Sequence, residues 1–382
     1  MKYRLLLLVS LFVSCASCQK QSQSPDASSG GDPTPTPTPT PASGRDSVKA
    51  TYTIIAGRMG QSAAVDGQGG NAAFINPYKL CFDSRNNKLY VADNNLIRVI
   101  DQQNNVSTLL GNGVLNNFEE IYDIDLAPGA AGSLYFTTKY YALYKIDGAT
   151  NQLTILTKGE GNDDGPLAAN NHLDGAYGVA PGSNDDIAVY NTYWNSLKRV
   201  RTSGANAGTM EAWAGKPTEK IFGGAWPFAD GQGLDATFSS HIYDISSDGL
   251  GNIYMADKDN ARVRKVSPAG AVSSIDPTAS WDNNVLAARI KANGVECTTA
   301  NQDGSYLYFT APVGPYGNSG PLIRLCKQGK GIVWLSLSDN NPNRNPADDM
   351  FGHVSGMAVT PDGKTLYIAE EFNKVISKIT LQ

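Results

Sequence analysis

The chain has 382 residues, with 31 Lys or Arg against 36 Asp or Glu, a net charge of -5 and 41% hydrophobic residues. The charges are mixed without a basic stripe, which argues against a nucleic-acid partner. Glycine is frequent at 39 residues, Tyr outnumbers Phe by 18 to 11, and short apolar runs alternate with Gly, Asn, Asp and Pro clusters. That pattern predicts an all-β fold.

Lys2 and Arg4 precede an apolar run from Leu5 to Val13, too short to span a bilayer and expected to be a signal peptide. The run ends in Ser14-Cys15-Ala16-Ser17-Cys18-Gln19, which resembles the lipobox of bacterial lipoproteins. The resemblance implies a lipoprotein signal peptide over residues 1–18 and lipidation of Cys18, which follows Ala-Ser and precedes a polar run; Cys15 is the alternative. Residues 19–48, rich in Pro, Thr and Ser, cannot bury apolar surface and are expected to form a disordered stalk. The implied location is the bacterial outer membrane, on its surface or periplasmic side, attached by the lipid alone.

Residues 49–382 carry a repeat. Four short strands, a to d, are expected from Tyr78-Lys79-Leu80-Cys81-Phe82-Asp83, Lys88-Leu89-Tyr90-Val91-Ala92-Asp93, Asn95-Leu96-Ile97-Arg98-Val99-Ile100 and Val106-Ser107-Thr108-Leu109-Leu110-Gly111. The same order returns from Tyr243, and the loop Asp66-Gly67-Gln68-Gly69 before the first copy is matched by Asp230-Gly231-Gln232-Gly233. Strand b recurs as Leu134-Tyr135-Phe136, Ile187-Ala188-Val189-Tyr190, Leu307-Tyr308-Phe309 and Leu366-Tyr367-Ile368-Ala369. Six copies of a four-stranded unit predict a six-bladed β-propeller. The last copy stops after strand c, while Tyr52-Thr53-Ile54-Ile55-Ala56-Gly57 has the pattern of a strand d. The first strand is therefore expected to close the last blade and hide two sheet edges. The Asp-Gly-x-Gly loop, the Leu-Tyr-Val-Ala-Asp strand and the Asn-x-Arg-Val-Arg-Lys hairpin resemble NHL repeats, and with the lipobox they resemble NHL-propeller lipoproteins of Bacteroidetes. Members of that family bind proteins, RNA or small molecules and a few are lyases or hydrolases, so the resemblance implies a fold and leaves the function open.

Strand a should line a central channel, with the d-to-a loops and b-to-c turns on one face, here the top. Aligning the a strands brings Tyr78, Tyr122, Tyr177 and Tyr243 to the top mouth, with Asn293 and Ser355 in the last two blades. Two readings stand: the tyrosines pack between blades, or they form an aromatic platform for a flat polar ligand. Two residues earlier come Asn76, Glu120, Gly175, His241, Lys291 and His353, and His172 lies near Gly175. All three histidines thus fall at strand entrances. No motif calls for a cofactor. Zinc on His172, His241 and His353, or calcium at the Asp-Gly-x-Gly loops, are the metals the residues would allow; Asp66 and Asp230 are expected instead to cap their own turns. Tyr193-Trp194 lies in a b-to-c turn and is expected to expose Trp194 as a contact residue. Arg98, Arg199, Arg262 and Arg264 on c strands are expected to pair with Asp93, Asp257 or Glu370, and Cys81, Cys297 and Cys326 to be buried free thiols. The leading expectation is a binding or scaffold module for a glycan, peptide or partner protein, with Tyr78, Tyr122, Tyr177, Tyr243 and Trp194 as ligand contacts. The alternative is a hydrolase or lyase using His241, His353 and Asp244.

Overall fold

The computed structural model describes the backbone of residues 48–381 except 112, 116–118, 128–131, 140–141, 159–162, 168–172, 174, 218–228, 278–283, 313–318, 327–331 and 338–352; the side chains of 48–49, 158, 284–287, 289 and 312–337 are not described either. The signal peptide, the stalk with Cys15 and Cys18, and His172 lie outside the described residues, as does the Cys326 side chain.

The first blade pairs Pro77–Asp83, Lys88–Asp93, Leu96–Ile100 and Asn105–Leu110 in antiparallel succession. The second runs Ile121–Leu126, Leu134–Thr138, Ala142–Ile146 and Leu153–Lys158. The third runs Ala176–Pro181, Ile187–Asn191, Ser196–Arg201 and Thr209–Ala214, and the fourth Ile242–Ser247, Ile253–Asp257, Arg262–Val266 and Ala271–Ile275. Middle strands are covered on both faces and read as unbroken apolar runs, as in Ile187–Asn191, where every residue is buried. Outer strands face solvent on one side and alternate: in Asn105–Leu110 only Val106 and Leu110 are buried. Short pieces of the Asp-Gly loops, Gly67–Gln68, Gly165–Pro166 and Gly231–Gln232, lie along these outer strands, which blunts exposed edges.

The hydrogen-bonded sheets number five among the described residues, not the six expected, because two four-stranded units are joined. Thr298–Ala300, Tyr306–Pro312, Ser319–Cys326 and Ile332–Leu337 form one antiparallel set; Val48–Gly57, Val375–Leu381, Thr365–Glu370 and Val354–Val359 form the other. Parallel pairing of Val48, Lys49 and Ala50 with Leu335, Ser336 and Leu337 merges them. The first strand then turns to pair antiparallel with the last, from Ala50 opposite Leu381 to Gly57 opposite Val375. The expected closure is therefore present, and the strand begins a few residues earlier than its apolar core.

The inner strands pack side by side in sequence order, and Val354–Val359 returns to Pro77–Asp83, closing a ring around a channel. Buried side chains fill the spaces between neighbouring units. Tyr190, Trp213, Phe238 and Met255 fill one such space, and Ile55, Phe74, Val91 and Ile376 fill the one at the closure. Helix Asn284–Asn293 precedes the inner strand Thr298–Ala300. Lys291 and Asn293 thus belong to a helix and not to a strand entrance, which corrects their alignment.

Candidate functional site

Five inner strands meet their neighbours with the same irregularity. Register shifts occur between Pro77 and Lys79, Ile121 and Asp123, Ala176 and Gly178, Ile242 and Ile245, and Val354 and Gly356. A bulge inserts one residue, and here the extra residue is Tyr78, Tyr122, Tyr177, Ser355 or, in the fourth blade, one of Tyr243 and Asp244. Bulges re-aim side chains at strand ends, so the tyrosine and the residue after it can both serve the channel. In the remaining unit Thr298 pairs with Phe309 and the Thr310 amide donates to the Cys297 carbonyl. By that register Cys297 matches Lys79, Glu296 matches the tyrosines and Gly294 matches His241. Five blades also repeat one backbone bond, from Asn94, Lys139, Thr192, Lys258 and Glu371 to the carbonyls of Asn76, Glu120, Gly175, His241 and His353.

The four tyrosines converge. Tyr78 and Tyr177 hydroxyls lie 2.8 Å apart, the Tyr177 ring is 5.0 Å from Tyr122 and 6.5 Å from Tyr243, and His241 stacks on Tyr243 at 6.0 Å. Burial pushes the Tyr78 and Tyr177 phenols up, so both stay neutral. Rings of neighbouring blades touch one another at the strand entrances and form a floor across the channel.

Beneath the floor lies a charged plug. Lys79 Nζ, from the first blade, donates to Asp244 Oδ1, from the fourth, at 2.5 Å and to the Tyr243 carbonyl at 3.3 Å. Asp244 Oδ2 accepts the Thr298 amide at 2.8 Å, and Asp123 Oδ2 accepts the Val179 amide at 2.8 Å, so each carboxylate staples its blade to the next. Burial pushes Asp123 and Asp244 above the usual carboxylate range with the Lys79 ammonium pulling against it; burial likewise lowers Lys79, but Asp244, Cys297 and Asp123 together outweigh it and raise the group. Asp244, a catalytic candidate, is thus engaged inside the channel and not at the mouth.

Above the floor the rim is polar. His353 Nδ1 lies 2.9 Å from Glu371 and its Nε2 3.5 Å from Glu296. Lys258 bonds Glu296 at 2.7 Å and lies 4.4 Å over the Tyr243 ring, while Asn76 donates to Glu371 at 3.1 Å. His241 Nδ1 is 2.8 Å from Asp259, and the histidine is half exposed. Phe372 stacks on His353 at 5.2 Å with 59% of its surface exposed. The sequence alignment did not find Lys258, Glu296, Glu371 or Phe372. Lys258 and Glu371 follow directly on strand b and Phe372 comes one residue later, positions that the pattern of apolar runs leaves unmarked. Trp194 is half-buried, with its indole N–H shielded from solvent, which corrects the exposed position expected for it. Gly175 stands where other blades carry Asn, Glu or His because a Cβ there would lie 2.4 Å from the Tyr193 ring, at a φ of +77°.

Burial lowers the His353 pKa, but the two glutamates outweigh it and lift the group to about 9. A histidine raised above its ordinary 6.5 adds stability that is complete below pH 6.5 and is lost as pH rises through 9. The displacement is worth on the order of 3 kcal/mol. Thermal unfolding measured from pH 6 to 10 should show that decline, and His353→Gln should flatten it.

The aspartates of the two Asp-Gly-x-Gly loops bind an arginine and a hydroxyl of a neighbouring strand instead of capping their own turns. Asp66 accepts from Arg98 at 2.8 Å and from the Thr108 hydroxyl at 2.8 Å; Asp230 accepts from Arg264 at 3.0 Å and from the Ser274 hydroxyl at 2.7 Å. The expected pairs Arg98–Asp93 and Arg264–Asp257 are present at 3.0 Å. Arg262 instead meets Asp276, and Arg199 lies over Trp213 at 3.9 Å. Glu370 bonds Tyr52, Ser377 and Asn373. Cys81 and Cys297 are buried free thiols. Among the described residues no group of His, Cys, Asp and Glu is arranged to hold a metal ion.

No protein-family model matches the chain, and no curated protein matches it. Solved structures do share its fold. A protein of unknown function from Bacteroides thetaiotaomicron is 13% identical over 87% of this chain and 76% of its own, with a TM-score of 0.58. Virginiamycin B lyase from Staphylococcus aureus is 14% identical over 88% of this chain and 100% of its own, at 0.50. An auxiliary nutrient binding protein from Bacteroides ovatus is 13% identical over 88% and 77%, at 0.40. At such identities the likeness to the first two is one of fold, and with the sheet order above it makes this chain an all-β propeller with four-stranded blades.

Proposed function

We propose that the chain is a cell-envelope lipoprotein whose NHL-type propeller, counted as six blades, binds a glycan at its top mouth. The count rests on the two four-stranded units within the merged sheet. The binding reading rests on one observation: four successive blades deliver a tyrosine to one floor. Rings give sugars an apolar face, and the rim of His353, Glu371, Lys258 and His241 supplies hydrogen-bond partners of both kinds. Exposed Phe372 extends the aromatic surface outward. Screening the purified protein against an oligosaccharide array should find a ligand, and Tyr243→Ala or Phe372→Ala should weaken it about tenfold or more. An array without hits, or variants that bind unchanged, would remove this reading. Lipidation at Cys18 is tested by labelling cells with a palmitate analogue, where Cys18→Ala should abolish the signal and Cys15→Ala should not.

A hydrolase or lyase is the second reading. It is favoured by the His241–Asp259 pair, which orients an exposed imidazole as a general base requires. Turnover of a bound glycan that disappears in His241→Ala while binding persists would decide for it.

A further inference from the structure

The channel has a second chamber, at the opposite end from the tyrosine floor. The Lys79–Asp244 plug forms its inner wall, and the chamber, open on one side, has a volume of about 140 Å³ lined by Cys81, Asp123, Asp125, Ser246 and Thr298 among others. Three carboxylates, Asp123, Asp125 and Asp244, face this space with Lys79 as the one cation lining it. That cation is already bound to Asp244. Asp125 accepts only the amide of its neighbour Leu126, at 2.7 Å, and no lysine or arginine pairs with it among the described residues. A second observation points to a missing polar partner. Thr298 is 1% exposed and lines the chamber, yet its Oγ1 has no hydrogen-bond partner; the Ser246 Oγ on the same wall is also unpaired. Native proteins rarely leave such atoms unpaired in an interior, because each costs desolvation without return.

We propose that this lower chamber binds a small protonated amine, its ammonium held by the Asp125 carboxylate and by the hydroxyl oxygens of Thr298 and Ser246. An ammonium carries three N–H donors and one positive charge, which matches one carboxylate and two hydroxyl acceptors. A metal ion would need a convergent set of ligands that the described residues lack. The proposal concerns a face separated from the glycan site by the plug and the floor, so each can fail alone.

The test is calorimetric titration of the purified protein with methylammonium chloride at pH 8, with potassium chloride and tetramethylammonium chloride in parallel. Saturable binding of methylammonium is expected, weakened at least tenfold by Asp125→Asn and several-fold by the near-isosteric Thr298→Val. Tetramethylammonium, which has no N–H, should not bind. Tyr243→Ala on the top face should leave the affinity unchanged. Binding should also weaken as pH falls below about 7, because burial lifts the Asp125 carboxyl to about 7 and protonation removes its charge; Asp123, Asp244, Lys79 and Cys81 are the other titratable groups facing it. Absence of saturable binding, equal binding of tetramethylammonium, potassium binding as tight as methylammonium, or undiminished affinity in both chamber variants would overturn the assignment.

Discussion

Replacing Arg98 with Ala should destabilise the propeller by about 3–5 kcal/mol, read as a lowered midpoint in urea with an unchanged slope. The guanidinium is fully buried and makes four bonds through its two terminal nitrogens: Nη1 to the Ala73 carbonyl and Asp93, Nη2 to the Val65 carbonyl and Asp66. Truncation leaves Asp93 buried without a counter-charge and two carbonyls without donors, and both costs are of the large kind. Asp93 already sits above the usual carboxylate range through burial, with the Asn76 amide and Arg98 opposing it. Arg98→Lys should recover part of the loss but not all. An ammonium has three donors and cannot replace a four-bond fork. The third blade shows what lysine achieves there, since Lys198 reaches Asp164 at 2.6 Å while Asn191 stands in place of Asp93. Arg264→Ala should cost a similar amount, because its four partners are the counterparts in the fourth blade.

Those two arginines also show why the fold was legible in the sequence. Asp66, Asp93 and Arg98 form one network around a buried guanidinium, so their spacing is tied to a contact and persists as a motif in copies one and four. Strand closure was legible for a comparable reason: the end lacks a strand that the beginning has in excess. What pattern could not convey were contacts between distant parts of the chain. Lys79 and Asp244 are 165 residues apart, and neither carries a local signature of its partner. The bulges that bring the tyrosines together shift the register at Tyr78, Tyr122 and Tyr177 without altering the run of apolar residues. Helix Asn284–Asn293 misled the alignment of the fifth repeat, since without a tyrosine to anchor it the entrance slid from Gly294 to Lys291. The last repeat illustrates substitution within a conserved geometry. Ser377 stands on the strand that carries arginine elsewhere, and the Glu370 carboxylate is satisfied by that serine at 2.5 Å and by the Tyr52 hydroxyl at 2.6 Å. One of those donors comes from the closing strand itself.

Deleting residues 48–57 should therefore abolish cooperative unfolding instead of merely lowering its midpoint. The loss begins with Ala50, Ile55 and Ala56, all buried, and with the backbone ladder to Val375–Leu381. It continues with Tyr52, whose absence leaves Glu370 buried and deprived of a donor. The parallel contact with Leu335–Leu337 goes as well, so the backbone pairing that merges two units is lost at once. A domain holds a margin of roughly 5–15 kcal/mol, and these losses fall together on the one place where the ring is closed by non-covalent pairing of its ends. The exposed product is a strand edge whose Val375, Ile376 and Ile379 were buried, a template for intermolecular pairing. The truncated protein should aggregate, as seen by light scattering, and be cut rapidly by protease. A synthetic peptide spanning residues 48–57, added in trans, should restore protection by taking the same place in the sheet. Retention of a sharp thermal transition within a few degrees of the full-length protein would show that the ring holds without its first strand.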